Sequence, residues 1–231
     1  VRQAKRVVSY AAACGSARAD DIAPEDLEQV KEAMGRFSAL SVRDEATERY
    51  VDELCGEKCL RHLDPVLVGD IQNRRHQKVW LKNYLLVYAY GQRIRTAEEI
   101  AAIQAFARKN GLKTLAIGGS QFWCDFYLPV SPWRAMDYFY HADYVVTDTC
   151  HGSIFSVIHH KKFAVIPRKT NENKLGALLR DLHLEARLLS HMRELEQVLS
   201  QEIDYAAVDE ILTRERKRTQ TYLKEQLGGR L

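Results

Sequence analysis

Two hydrophobic periods alternate along almost the whole chain, and little else about the sequence restricts the fold as tightly. Apolar runs of strand length are followed by stretches in which apolar residues recur at helical spacing. YLLVYAY (84–90) is apolar across every position, as expected of a strand buried on both faces. Repeated strand–helix units of this kind specify an α/β protein built on mostly parallel sheets. In such folds ligands bind beyond the carboxyl ends of the strands, so the segments that leave strands are where function is sought.

RVVSYAAA (6–13) reads as a buried strand and PEDLEQVKEAMGRF (24–37) as a helix, with Pro24 suited to its first turn. ALSVR (39–43) reads as a strand, DEATERYVDELCG (44–56) as a helix, and a short strand follows that stops at Asp64–Pro65. Periodicity disappears in GDIQNRRHQK (69–78), the expected linker. The second half repeats the alternation. Strands are expected at 84–90, 113–119, 143–148 and 162–167, and helices after Thr96, after Ser131, at 152–160, at 172–184 and at 204–227.

These boundaries divide the chain into two α/β units, 1–75 and 76–203, and a C-terminal helix (204–231). Composition excludes several alternatives. The chain has 231 residues, 46% hydrophobic and 28% charged, which is neither disordered nor fibrous. A net charge of +3 argues against a dedicated nucleic-acid binder. The longest apolar stretch falls far short of the roughly 18–20 residues that a spanning helix needs. Five cysteines without framework spacing suggest reduced thiols and a cytoplasmic location.

The strongest local signal is TDTCHGS (147–153). Strand 143–148 runs into a tight turn, and a helix opens near Gly152. Free N–H groups at a helix N-terminus favour an anion. Gly152 allows close approach to the backbone, and Thr149 and Ser153 offer hydroxyls. His151, at the junction, is placed to donate a proton to a ligand held there. The alternative is that Thr149 or Asp148 caps the helix and His151 packs.

The run ADYVVTDTCHGSIFSVIHHKKFAVIPR, with SVRDE (41–45), LDP (63–65) and VVSYAAACG near the start, resembles the polysaccharide pyruvyl transferase family. The resemblance implies a GT-B-like fold of two Rossmann-like lobes, a partial N-terminal one (1–75) on the acceptor side and a C-terminal one (76–203) with the donor site, with the C-terminal helix (204–231) packing back on the first lobe. It also implies strands before VVSYAAACG, so the first lobe is expected to be truncated at its N-terminus. The implied reaction transfers pyruvate from phosphoenolpyruvate to a hydroxyl pair of a sugar or lipid-linked saccharide, as a cyclic ketal, in surface or exopolysaccharide synthesis. His151 corresponds to the family's acid and Arg43 to an anion-binding residue. Lys174 stands where relatives often carry Arg. The scheme calls for no metal and no cofactor.

Other residues carry weaker signals. Arg168 follows the strand 162–167 and suits a phosphate, or is simply solvated. Asp64 orients a sugar hydroxyl or stabilises a turn. GGS (118–120) permits backbone approach to a ligand or forms a plain turn. Cys55, Cys59 and His62 match no zinc spacing, so no metal site is expected. TRERKR (213–218) leaves peripheral association with an anionic surface open, beside the reading of a solvated helix face. Two other functions remain open: a GT-B glycosyltransferase using a nucleotide sugar, and a degenerate non-catalytic sugar-binding module.

Overall fold

The computed structural model describes residues 4, 6–15, 17–56 and 58–228, without the side chains of 72, 172 and 173. It divides into two compact units, one of residues 1–69 and 209–231 and the other of residues 70–208.

The first unit begins with an extended segment that the sequence reads as one strand. It forms two isolated parallel bridges instead, Val8 to Ala39 and Ala12 to Val42. Ala11 between them sits at φ 46°, a left-handed conformation that breaks the extended run. Helix α1 (Pro24–Gly35) follows, with Pro24 at its first position. Strand β1 (Ser41–Val42) pairs in parallel with β2 (Leu60–Arg61). Between them runs α2 (Glu45–Cys55), whose N-cap Asp44 accepts from the Thr47 N–H at 2.9 Å. Gly56 ends it at φ 63°. The short helix α3 (Pro65–Val68) starts at the Asp64–Pro65 pair where the sequence places a stop.

The second unit is a five-stranded sheet in which every pairing is parallel. Its strands are β3 (Tyr84–Ala89), β4 (Lys113–Gly118), β5 (Phe126–Tyr127), β6 (Tyr144–Thr147) and β7 (Lys162–Val165), in the spatial order β5-β4-β3-β6-β7. Helix α4 (Ala97–Lys109) carries β3 to β4. It opens on a capping box in which Thr96 accepts from the Glu99 N–H and the Glu99 carboxylate accepts from the Thr96 N–H. Helix α5 (Pro132–His141) precedes β6, α6 (Cys150–Ile158) joins β6 to β7, and α7 (Glu172–Asp181) and α8 (Leu195–Ser200) follow. Strand β5 and helix α8 escape the sequence reading because both are too short to show a period.

The core confirms the reading of 84–90. Leu85, Leu86 and Val87 are completely buried, as are Leu115, Val145, Val146, Phe163 and Ala164 on neighbouring strands. Tyr84 is buried too, and its hydroxyl donates to the Tyr138 carbonyl at 2.5 Å. Burial pushes that phenol far above its usual pKa.

The last element is α9 (Tyr205–Leu227). Its residues in the first unit contact that unit's extended N-terminal segment and α3. Tyr222 Oη donates to the Ser9 carbonyl at 2.7 Å, and the Arg216 guanidinium donates to the Leu67 carbonyl. Among the described residues no helix is long and apolar enough to cross a membrane.

Candidate functional site

The order β5-β4-β3-β6-β7 places a topological switch between β3 and β6. The chain leaves β3 towards one side of the sheet and later returns to build the other. Loops on either side of such a point diverge and leave a crevice at the strand carboxyl ends. Three loops meet there: Tyr90–Arg93 after β3, Asp148–Thr149 after β6, and Ile166–Asn171 after β7.

Their side chains form a charged cluster around Asp148, whose carboxylate is fully buried. Asp148 Oδ2 accepts from Arg93 Nε at 3.1 Å and from Arg168 Nε at 3.2 Å. Arg168 also donates from Nη1 to Glu99 Oε1 at 2.5 Å. Asn171 Nδ2 donates to the Asp148 carbonyl at 2.6 Å, and Arg93 Nη2 to Thr170 Oγ1 at 2.7 Å. The Arg93 guanidinium lies 5.3 Å from the centre of the Tyr90 ring.

Burial pushes the Asp148 carboxyl above its usual range, against the pull of Arg93 and Arg168. Burial also works against Glu99, but the Thr96 amide and the Arg168 guanidinium outweigh it and hold that carboxyl below its usual range. Arg168 Nη2 and Asp148 Oδ1 are buried without a hydrogen-bond partner among the described residues. A buried donor of this kind is costly unless something accepts from it.

The β6–α6 junction shows how each residue of TDTCHGS is used. Thr149 is the N-cap of α6, and its Oγ1 accepts from the Gly152 N–H at 2.9 Å. The Thr149 hydroxyl also lies 3.1 Å from Thr147 Oγ1. Ser153 is completely buried and donates back to the Thr149 carbonyl at 3.2 Å. Gly152 faces the strand just left behind: a Cβ there would sit 2.0 Å from Thr147 Oγ1 and 2.7 Å from Thr147 Cβ. Thr149, Gly152 and Ser153, read from sequence as contacts for a ligand, are thus committed to building the junction. A similar account applies to GGS: a Cβ on Gly119 would lie 2.1 Å from the Gly91 nitrogen, so two strand-end loops pack backbone to backbone.

His151 differs from its neighbours. It lies in the first turn of α6, exposed, with its ring centre 5.9 Å from that of Phe155. The cap and the buried serine fix the turn beneath it, leaving the imidazole towards solvent. Lys174, in the first turn of α7, is partly buried and has no described hydrogen bond. Asn171 is a loop-building residue: besides holding Asp148, it accepts from the Arg168 N–H at 3.2 Å. Asn173, a further polar residue of this segment, has a side chain outside the described ones.

The remaining two sequence candidates lie together in the first unit. Arg43 donates from Nη1 to Asp64 Oδ2. Asp64 Oδ1 accepts from the Val66 N–H at 2.9 Å and so caps α3. Asp64, 3% exposed, therefore stabilises the turn, one of the two roles expected of it. Among the described residues no three His, Cys, Asp or Glu side chains converge as metal ligands.

Sequence reasoning missed Arg93, Asp148 as an organising carboxylate, and Glu99. The available signal was positional: Arg93 sits in the loop directly after the central strand. GQR is too ordinary a tripeptide to stand out without the strand order.

A profile of the family described as polysaccharide pyruvyl transferase matches residues 2–170. Among curated proteins none is significantly similar in sequence. Similar solved structures include the glycotransferase of kitacinnamycin, at 14% identity and a TM-score of 0.48, with 87% of this chain and 54% of that one covered. They also include Arabidopsis thaliana UGT89C1 complexed with UDP-L-rhamnose, at 16% identity and a TM-score of 0.49, with 95% and 61% covered. The chain thus spans between about half and three fifths of the length of these two structures.

Proposed function

The chain belongs to the polysaccharide pyruvyl transferase family, and from that premise we propose that it transfers pyruvate from phosphoenolpyruvate to two hydroxyls of a saccharide as a cyclic ketal. The observation that carries this reading is an exposed imidazole, His151, on the same strand-end loop system as a pair of guanidinium groups gathered on Asp148.

Phosphoenolpyruvate presents a phosphate and a carboxylate on an enol carbon. Two anionic groups on one small skeleton call for planar cations with several donors. Arg93 and Arg168 fit that need. Arg168 keeps a buried Nη2 donor that no described residue fills, and a ligand oxygen would satisfy it. Lys174 adds a point charge from α7. Thr149, Gly152 and Ser153 contribute indirectly, by fixing the turn that presents His151.

In the proposed chemistry His151 gives a proton to C3 of the enol, turning the methylene into a methyl and leaving positive character at C2. One saccharide hydroxyl attacks C2, and His151 recovers a proton from it. The C2–O bond to phosphate breaks, and the second hydroxyl closes the ketal. Its proton departs with the phosphate. The products are one pyruvylated saccharide and one hydrogen phosphate, and atoms and charge balance. The protein's task is to hold two anions, supply one proton and shield developing charge. The saccharide acceptor, free or lipid-linked, and a place in surface polysaccharide synthesis form part of this proposal.

The test is phosphate release from phosphoenolpyruvate in the presence of a panel of saccharides, with product methyl signals read by NMR. Ketal formation that disappears in His151→Ala supports the reading. Full turnover in that variant removes His151 from the chemistry.

A further inference from the structure

The first unit holds a groove that the proposed reaction does not use. One wall is a stripe of α9: Lys217 and Arg218 follow Arg214 by three and four residues and Tyr222 follows Arg218 by four, so the four share one helix face. The other wall is Leu60 and His62, from β2 and the residue just after it. The groove has a volume of about 350 Å³.

His62 is the informative residue. It is 3% exposed, and its Nε2 is buried without a partner among the described residues. Its Nδ1 lies 2.8 Å from Ser41 Oγ. That same Ser41 Oγ accepts from the Ala11 N–H at 3.0 Å. No described acceptor other than His62 Nδ1 lies within reach of the Ser41 hydroxyl proton. The hydroxyl therefore donates to Nδ1, and in the neutral ring the proton resides on Nε2. Burial, which lowers the pKa of His62, keeps that ring neutral. The result is a fixed, unfilled N–H donor on a residue that lines the groove together with the cations Arg214, Lys217 and Arg218.

The acidic neighbours do not cancel those cations. Glu215 is shared between Arg218 at 3.4 Å and Arg214 at 3.8 Å, and Glu225 lies further along the same stripe. Lys217 has no described partner, and its side chain is exposed. Leu60, half exposed, and the Tyr222 ring supply an apolar face beside the donors.

We propose that this groove is a second anion site of the molecule, one that takes the phosphate or diphosphate group of an organic ligand. The anionic oxygens accept from His62 Nε2–H and from Lys217 and Arg218, and the carbon portion of the ligand lies along Leu60 and Tyr222. The basic run TRERKR thus acquires a defined role rather than a diffuse attraction.

Inorganic pyrophosphate is the probe. It is titrated by calorimetry into the full chain, with the His62 ring signals followed by NMR. Binding with movement of the His62 Nε2–H signal is expected. A Lys217→Ala/Arg218→Ala double variant, altered only at exposed side chains, should keep its melting temperature and lose affinity by about tenfold or more, as expected for charge-assisted hydrogen bonds. Movement of the His62 signal, lost together with affinity in the double variant, separates this site from the proposed catalytic one. No binding by the wild type, undiminished binding by the double variant, or saturation without movement of His62 would each overturn the proposal. A second arm uses vesicles containing phosphatidylglycerol. Retention that pyrophosphate competes away, and that the double variant lacks, supports the same phosphate chemistry on a lipid. Retention that pyrophosphate leaves untouched, with no pyrophosphate bound in solution, contradicts it.

Discussion

Two arginine–aspartate sites, one in each unit, use the same chemistry to different ends. In the first unit Arg43 meets Asp64, and the second carboxylate oxygen of Asp64 caps α3. Both carboxylate oxygens of Asp64 thus have an internal partner. In the second unit Asp148 gathers two arginines at a topological switch point. One guanidinium nitrogen, of Arg168, and one carboxylate oxygen remain buried and unfilled among the described residues. The carboxylate of the first site has no oxygen left over. The second has capacity left over, in the crevice where α/β sheets bind ligands. A residue type alone therefore does not mark a site; the count of donors against acceptors does.

The sharpest way to break this contrast is at the junction residue that the fold leaves free. His151→Ala should reduce pyruvyl transfer by roughly 100-fold or more, in line with loss of a general acid. Its melting temperature should stay unchanged, since His151 is exposed. A phosphate-release assay beside a thermal melt checks both halves.

Gly152→Ala should show the opposite pattern. The added Cβ collides with Thr147, so a loss of roughly 1–3 kcal/mol of stability is expected, read by urea denaturation. A variant as stable as wild type would show that the junction tolerates a side chain.

The second unit also carries a buried histidine whose titration tests its packing. Burial holds His159 down to about 3, helped by the neighbouring cations. Its folded pKa lies below the unfolded value, so the unfolded chain binds the extra proton first. Stability is therefore full above about pH 6.5 and falls as pH drops from there towards 3. Between pH 7 and 5 the loss attributable to His159 should be roughly 1–2 kcal/mol. His159→Leu should flatten that slope in denaturation curves at the two pH values. An unchanged slope would mean that His159 takes up its proton without unfolding.

The smallest effect compares the two arginine sites directly. Arg93→Gln should weaken phosphoenolpyruvate binding by about tenfold, the scale of one charge-assisted contact. Arg43→Gln should weaken it less, because Arg43 is not one of the strand-end arginines of the second unit to which the donor is assigned. Binding isotherms that reverse this order would move the donor site to the first unit.

Much of the fold was legible because burial leaves a period in the sequence. The uninterrupted run of β3, the Thr96–Glu99 capping box and Ser131–Pro132 ahead of α5 each state their structure locally. The segment 6–13 misled because its apolar character conceals the left-handed turn at Ala11, which no local rule demands of an alanine. The candidate site was legible only in part. TDTCHGS marks the junction, but the sequence could not say that Gly152 answers to Thr147 rather than to a ligand, because Thr147 reaches it only after the chain has turned. Arg93 was invisible for a related reason: its partner lies 55 positions away, and strand order alone brings them together.

The most direct test of the central claim is calorimetric titration of phosphoenolpyruvate into the wild-type chain and into Arg93→Gln. The claim that the strand ends of the second unit hold the donor predicts binding by the wild type and about tenfold weaker binding by the variant. Absence of binding by the wild type, or identical affinity in the two proteins, would contradict it.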